Sequence, residues 1–292
     1  MVISQIIGGL GNQMFQYAAG RALSLRNQSP LALDISGFDN YGLHQGFELQ
    51  RVFCHPFEIA TKADVRRLLG WQSPAIIRRI VSRGLFAAFC RERYVVEPHF
   101  HYWPGISDLK TDCYLSGYWQ SEKYFADAAR QIRADFTFRP PLGNENAEVA
   151  RQISQVNAVS LHVRRGDYAS NPKTSATHGL CSLEYYQAAI RQIAERVQQP
   201  RFFVFSDDIA WVLANLKIGF PCIHVQHNRG AESFNDMRLM SLCRHHIIAN
   251  SSFSWWGAWL NPHGEKIVVA PKKWFANETD VRDLYPAGWV TL

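Results

Sequence analysis

The run Val159-Ser160-Leu161-His162-Val163-Arg164-Arg165-Gly166-Asp167-Tyr168 constrains this chain more than any other stretch. Strand side chains alternate between faces, so Val159, Leu161 and Val163 share one face and His162 and Arg164 the other. It reads as a buried strand that ends in charge. Arg164, Arg165 and Asp167 stand where the strand runs out, and Gly166 permits a sharp turn there. In open α/β sheets, ligands gather outside the carboxyl ends of the strands. Two adjacent arginines at such an end point to an anionic ligand, because a guanidinium grips phosphate or carboxylate oxygens through a fork of N–H donors. The plainer alternative pairs one arginine with Asp167 and leaves the other in solvent.

The surrounding pattern is regular. A helix over 145–155 leads into this strand, and a polar loop follows to Cys181. Ser182 caps a helix running to Val197, and a strand over 202–205 ends in Ser206-Asp207-Asp208. A helix to Leu216, a strand over 222–225, a helix over 233–244 and a short strand over 247–249 come next. Asn250-Ser251-Ser252-Phe253-Ser254 then opens another helix, and a strand over 266–270 closes the sheet. Strands alternating with helices mean a parallel sheet with right-handed crossovers, so this half is Rossmann-like. The carboxyl ends of all its strands face one way. That gathers His162/Arg164/Asp167, Ser206/Asp207/Asp208 and Asn250/Ser251/Ser252/Ser254. Arginines bind phosphate, and a carboxylate can accept the N1–H and 2-amino donors of a guanine edge. Serines before a helix offer hydroxyl and backbone N–H donors to phosphate oxygens. Ser206-Asp207-Asp208 and Asn250 to Ser254 are each also ordinary helix caps when taken alone; the three groups together read as a site for a nucleoside diphosphate.

The first half is a looser version of the same idea. A strand over 2–7 meets the loop Gly8-Gly9-Leu10-Gly11-Asn12-Gln13, and a helix follows to about Arg26. The loop approaches a dinucleotide fingerprint, but Met14 stands where a third small residue is needed. The glycines therefore read as room for a ligand or a facing domain, with Gly11, Asn12 and Gln13 in contact; a plain βα turn is the alternative. A second strand over 30–35 carries Asp34. The irregular segment 37–56 mixes Phe38, Tyr41 and Phe47 with Asp39, His44 and Glu48. Aromatic faces beside such polar groups suit a sugar, and an aromatic satellite core fits equally well. Thr61 caps a helix to Leu69. The stretch 76–93 is a basic amphipathic helix or pair. It raises peripheral contact with an acidic membrane, against the plainer reading of a solvated arginine face. A strand over 112–119 and a helix capped by Ser121 complete this half. Arg139-Pro140-Pro141-Leu142-Gly143 is the best linker, giving domains at 1–139 and 144–292, with the last residues able to pack back on the first.

Composition narrows the classes. The formal charge of +6 is a mild excess, and the basic cluster between Arg66 and Arg93 is mixed with aliphatic rather than stacking residues, which argues against nucleic acid. The six cysteines are too dispersed for a zinc pattern and suit a reducing compartment; Cys222 and Cys243 read as core residues. No apolar run reaches transmembrane length, and the N-terminus lacks a signal-peptide pattern, so a cytoplasmic protein is expected. Asp207 and Asp208 are adjacent, so on an extended segment they point to opposite faces rather than chelating a divalent ion. Arg164 can neutralise a leaving diphosphate instead, and no metal or other cofactor is expected.

Gly8-Gly9-Leu10-Gly11-Asn12-Gln13-Met14-Phe15-Gln16-Tyr17, His162-Val163-Arg164-Arg165-Gly166-Asp167-Tyr168, Phe205-Ser206-Asp207-Asp208 and Asn250-Ser251-Ser252-Phe253-Ser254-Trp255-Trp256-Gly257-Ala258-Trp259 resemble the bacterial α-1,2-fucosyltransferases of glycosyltransferase family 11. The resemblance covers nearly the whole chain. It implies a GT-B fold, two Rossmann-like domains facing across a cleft, with the acceptor on the N-terminal side. It implies GDP-β-L-fucose as donor, the 2-hydroxyl of a galactose-containing glycan as acceptor, inversion, and no metal. By motif, Arg164 contacts the β-phosphate, His162 and Asp207 the guanosine, Ser251 and Ser252 the phosphates, and Asn12 the donor. Arg165, Ser206, Asp208, Asn250, Phe253 and Ser254 fall in the same donor motifs. The base that takes the acceptor proton is left open among Asp167, Asp34, Asp39, His44 and Glu48. A galactose in an O-antigen or capsule repeat is the expected acceptor.

Overall fold

The structure, a computed structural model, describes residues 1–39, 45–81, 93–110, 112–139 and 141–292. The chain divides into two compact units, Met1–Arg139 with Val281–Leu284, and Pro140–Asp280 with Tyr285–Leu292.

The first unit is built on a parallel sheet of β1 (Val2–Gln5), β2 (Leu31–Asp34), β3 (Tyr94–Val96) and β4 (Cys113–Ser116), in the order β2-β1-β4-β3. Helix α1 (Leu10–Arg26) joins β1 to β2. Its burial runs almost all round, from Met14, Phe15 and Tyr17 to Ala18, Ala22 and Leu23, which is why it carries no polar face. Leu25, near its end, is the exception among its apolar residues at 40% exposed. A short α2 (Leu49–Val52) is followed by α3 (Lys62–Leu69). Thr61 caps α3 in a reciprocal box: its hydroxyl accepts from Asp64 N, and the Asp64 carboxylate accepts from Thr61 N.

Helix α4 (Ala75–Val81) departs from the simple amphipathic picture. Ile76 and Ile80 face solvent, while Arg78 is turned inward, 5% exposed, onto Asp34. A buried carboxylate competes for that arginine better than water does, so the arginine and apolar positions exchange sides. The remainder of the basic stretch, with Arg83 and Arg91, lies outside the described residues. No helix among the described residues is long and apolar enough to cross a membrane.

Ser121 does not start one long helix. Two 3-10 turns, Glu122–Tyr124 and Ala126–Ala128, precede α5 (Ala129–Asp135). The Ser121 hydroxyl donates to Asp283 O, and Lys123 Nζ pairs with the Asp283 carboxylate, which draws the segment toward 281–284 instead.

The second unit begins with α6 (Asn144–Ser154) and β5 (Asn157–Val163). Helices α7 (Gly166–Ser170), α8 (Pro172–His178) and α9 (Leu183–Ala194) lead to β6 (Pro200–Ser206). Then come α10 (Ile209–Asn215), β7 (Cys222–Val225), α11 (Phe234–Leu242), β8 (His245–Ile247), α12 (Ser252–Leu260), β9 (Val268–Ala270) and β10 (Val290–Thr291). The sheet is parallel, in the order β10-β9-β8-β5-β6-β7. Val159, Leu161 and Val163 join α9 and α10 in one apolar cluster, with Cys222 packed against it. Ala158, Phe203, Phe205 and Val225 join α6 and α11, with Cys243, in another on the opposite face.

Three features differ from the expected pattern. The loop after β5 contains two short helices, which its Ser/Thr/Asn content conceals. The sheet ends at β10, not at β9, because a two-residue strand carries no periodicity. Strand β8 lies two residues earlier than expected, because it starts with His245-His246. These are polar letters in a buried strand. His246 is fully buried, and Asn261 Nδ2 donates to its Nε2 (2.8 Å), leaving Nδ1–H to donate to Ser160 Oγ (2.8 Å).

The first unit also holds a buried carboxylate with several partners. Asp135, 2% exposed, accepts from the Tyr17 hydroxyl (2.8 Å), from Arg21 Nε (3.1 Å) and from Gln131 Nε2 (2.7 Å). Asp135→Ala leaves a buried hydroxyl and a guanidinium unpartnered and is expected to cost about 3 kcal/mol. Urea unfolding of wild type and variant measures it.

Candidate functional site at the strand ends

Arg164 follows the last residue of β5, and Asp207 follows the last residue of β6. Val163 pairs with Ser206 in the ladder, so the two charged residues leave the sheet side by side. Arg164 Nη1 meets Asp207 Oδ2 at 2.9 Å, and Arg164 Nη2 donates to Asp167 Oδ1 at 2.5 Å. The Tyr168 ring lies 5.2 Å from the guanidinium carbon, and His178 stacks on Tyr168 at 4.7 Å. Arg164 Nε is buried and has no hydrogen-bond partner among the described residues. Burial alone would lower the Arg164 pKa, but the Asp207 and Asp167 carboxylates outweigh it and raise the pKa, so the group stays charged.

Arg165 is tied by other means. Its backbone N–H donates to Asp207 Oδ1 (2.8 Å), its Nε meets Asp208 Oδ2 (3.3 Å), and its guanidinium lies 3.8 Å over the Trp211 ring. Asp208 also caps α10 by accepting from Trp211 N, and its own N–H donates to Ser206 Oγ. Asp207 and Asp208 are each spent on a different arginine, Asp207 on Arg164 and Asp208 on Arg165, because two partly buried guanidinium groups need counter-charges and the turn after β6 supplies them. Neither arginine is left in solvent: two guanidinium groups face three carboxylates. Gly166 makes this possible, since a Cβ there would lie 2.5 Å from Asp207 Oδ2.

His162 projects away from the face of Val159, Leu161 and Val163, 5% exposed, with its ring 5.9 Å from Phe253. Burial, and then the Arg164 charge, push its pKa down to about 3, so it is neutral, and its buried Nδ1 has no partner among the described residues.

At the end of β8 the expected residues separate into two groups. Asn250 is 2% exposed and internal: its amide donates to His178 O and Trp274 O, and its oxygen takes Cys181 Sγ. Ser254 is buried, accepting from Ala249 N and donating to Ser251 O. Ser251 stands at the N-cap of α12 with no side-chain cap bond, so its hydroxyl is not spent on the helix. Ser252 and Phe253 form the first turn and are only partly buried.

In the first unit, Gly8 has φ +80°, and a Cβ there would meet the Asn12 side chain at 2.8 Å. Asn12 Oδ1 accepts from Gln120 Nε2 (2.8 Å). Gln13 is fully buried, donating to Gly8 O and Gly46 O and accepting from Glu48 N, so it ties the glycine loop to segment 46–48. Gly11 is buried in α1. Among the carboxylates considered as bases, Asp34 is held by Arg78 and the Tyr114 hydroxyl, and Glu48 by Arg51. Asp39 is exposed. His44 lies outside the described residues.

Sequence reasoning gave no role to Tyr168, although it closes the motif, or to His178, whose stacked rings lie against Arg164. It also missed Glu97, just after β3. The Glu97 carboxylate accepts from Tyr118 N (2.7 Å) and Trp119 N (3.0 Å), and burial outweighs these bonds and pushes its pKa up to about 7. The three-residue length of strand β3 gave no signal.

Two parallel-sheet α/β units, with polar groups concentrated at the strand ends of the second, have the architecture of the GT-B fold. Residues 67–292 match the model of Glycosyl transferase family 11, and this chain belongs to that family. It is 38% identical over 298 residues to an "Alpha-1,2-colitosyltransferase" of Escherichia coli, covering 100% of this chain and 99% of that protein. It is 34% identical to an "O-antigen biosynthesis glycosyltransferase WbnK" of Escherichia coli, covering 99% of each. It is 27% identical to the "Galactoside alpha-(1,2)-fucosyltransferase 1" of Saimiri boliviensis boliviensis, over 90% of this chain and 66% of that one. In fold it is similar to the solved "NodZ alpha-1,6-fucosyltransferase co-crystallized with GDP", with TM-score 0.55 and 18% identity, over 89% of this chain and 92% of that one.

The two neutral buried histidines make stability depend on acid. His246 is pushed well below the ordinary value by burial and nearby positive charge, and His162 to about 3. An unfolded histidine takes up a proton below about pH 6.5, whereas the folded ones do not. Their contribution is complete above that pH and is lost as pH falls from there toward about 3. The slope of unfolding free energy against pH over this window should flatten in His162→Gln, as urea melts at pH 7, 5.5 and 4.5 would show.

Proposed function

We propose that this chain transfers L-fucose from GDP-β-L-fucose to the 2-hydroxyl of a galactose residue in a glycan, with inversion, forming an α-1,2 link without a metal ion. The observation that carries the reading is Arg164. A partly buried guanidinium stands where β5 ends, oriented by Asp167 and Asp207, beside the ends of β6 and β8.

Inversion needs attack on the anomeric carbon from the face opposite the diphosphate, through a transition state with oxocarbenium character. The bond to the leaving oxygen lengthens, and negative charge builds on the β-phosphate. Arg164 can offer the remaining N–H donors of its Nη atoms to that oxygen, and its charge stabilises the departing group, a contribution of several kcal/mol in such sites. Asp167 and Asp207 hold the guanidinium plane in place and keep it protonated. Ser251, with its hydroxyl unspent on the cap, and Ser252 give the phosphates further donors. Asp207 and Asp208 are engaged by Arg164 and Arg165, which supports a diphosphate neutralised by side chains in place of a chelated cation. His162 and Phe253 offer a neutral, partly apolar wall for the nucleoside. The acceptor proton goes to a base not yet assigned; Glu97 joins Asp39, Asp167 and His44 as a group to test.

A second donor is favoured by a specific observation. The relative at 38% identity is named a colitosyltransferase. Colitose is fucose without its 3-hydroxyl, so the two donors share the GDP and the 6-methyl group and differ by one hydrogen-bonding group. An O-antigen repeat remains the acceptor context that the relatives support.

GDP release from GDP-fucose and GDP-colitose, with a panel of β-galactosides and with or without EDTA, tests the reading. Turnover with one of these donors, unchanged by EDTA, is expected; turnover only with added divalent metal overturns the metal-free mechanism. Arg164→Ala should lower transfer at least a hundredfold with an unchanged far-UV spectrum. Activity within about tenfold, roughly 1.4 kcal/mol, rejects the role given to Arg164.

A further inference from the structure

Asp236 is a carboxylate on the same sheet edge that the diphosphate site does not use. It lies in the first turn of α11, which starts after the end of β7. Asn228 Nδ2 donates to Asp236 Oδ1 (2.8 Å), and no other hydrogen bond or ion pair to that carboxylate is seen among the described residues. Asn228 in turn bonds Asn146 near the start of α6, where His227 Nε2 also sits 2.8 Å from Asn146 Oδ1. Burial pushes the Asp236 pKa up to about 7 against the Asn228 hydrogen bond, the mark of a carboxylate short of donors.

His162 and Phe253 belong to this face. Phe253 packs against the cluster that contains Phe205, Val225 and the α11 residues Leu239 and Met240. His162 projects away from the α9 side of the sheet, against Phe253, with its Nδ1 buried and unpartnered. Helices that follow parallel strands begin at the strands' carboxyl ends, so the first turns of α11 and α12 share one edge of one face. By contrast, each oxygen of Asp207 already holds a donor, Arg165 N on one and Arg164 Nη1 on the other.

We propose that Asp236, held by Asn228, accepts the N1–H and 2-amino donors of the guanine ring, with His162 and Phe253 beside the purine, and that Asp207 serves to hold the arginines instead. This rests on the GDP-sugar reading above. The chemistry is complementary: guanine presents two parallel donors, and a carboxylate presents two acceptors at matching spacing. Adenine, uracil and cytosine offer no such pair on one edge. The plain alternative is a first-turn acid that only complements the helix end and fixes Asn228.

Calorimetric titration of GDP, IDP and XDP into wild type and Asp236→Asn separates the two. Inosine lacks the 2-amino donor, and xanthine carries a carbonyl there, to which an asparagine amide can donate. Wild type should bind GDP at least tenfold more tightly than IDP. Asp236→Asn should bring that ratio near one and gain affinity for XDP, with inhibition by inorganic diphosphate unchanged. A merely structural acid would weaken all three nucleotides together and gain nothing toward XDP, which overturns the assignment. A wild-type GDP-to-IDP ratio near one overturns it without any variant, so misfolding of Asp236→Asn does not shelter it. Wild type that binds GDP tightly while Asp236→Asn keeps the ratio within twofold rejects Asp236 alone. Wild type that prefers UDP or CDP rejects the GDP reading as well.

Discussion

A guanidinium at the mouth of a buried strand dictates much of what surrounds it. Arg164 leaves a sheet whose flanking residues are apolar, and stripping water from its charge costs several kcal/mol unless partners replace the water. The register of β5 against β6 sets Asp207 beside it, and the first turn of α7 returns Asp167. Glycine at 166 follows from this geometry, since any side chain there would collide with the Asp207 carboxylate. Asp208 has to balance Arg165 while capping α10, which fixes where that helix starts. One charged residue thus accounts for a motif, a turn, a cap and a glycine.

The same clamp changes how anion binding should be understood. A loose basic pocket attracts phosphate by net charge, and such attraction is screened by salt. Here the guanidinium is already held through one bond at each Nη atom, and what it keeps in reserve is the second, oriented N–H of each. The arrangement is preorganised: the arginine is fixed before ligand arrives, so little side-chain entropy is lost on binding. Specificity for a diphosphate then rests on where a few donors point rather than on how many positive charges lie nearby.

The sequence was most legible where one physical rule acted alone. Alternating burial in β5, Thr61 with Asp64 at α3 and the parallel βα rhythm of 144–270 are each set by local pattern, and the structure has them in place. It was least legible where a distant partner redefined a residue. Gln13 and Asn250 look like polar contacts for a ligand, yet both are buried and spent on backbone groups far away in sequence. Arg78 looks like a solvent-facing base on an amphipathic helix until Asp34, forty-four positions earlier, claims it. His245 and His246 hide a strand because Ser160 and Asn261, which satisfy the buried imidazole of His246, lie fifteen or more residues away. In each case the letter reports polarity correctly and says nothing about which group satisfies it.

Why a nucleotide site of this kind should contain a neutral histidine follows from the same economy of charge. His162 stands two residues before Arg164, so it lies on the same side of the strand, where a second positive charge would repel the first. Burial against Phe253 removes the imidazolium and leaves a hydrogen-bonding ring with an apolar face. Such a ring can lie against a nucleoside without competing for its phosphates, while the full charge is kept at the next outward position, where the leaving group's charge develops. A lysine or arginine at 162 would place two cations on adjacent steps of one strand and require a further carboxylate to balance them. The strand's alternation therefore sorts chemistry by position: apolar residues toward α9, a neutral ring deeper on the ligand side, and a charge at the end.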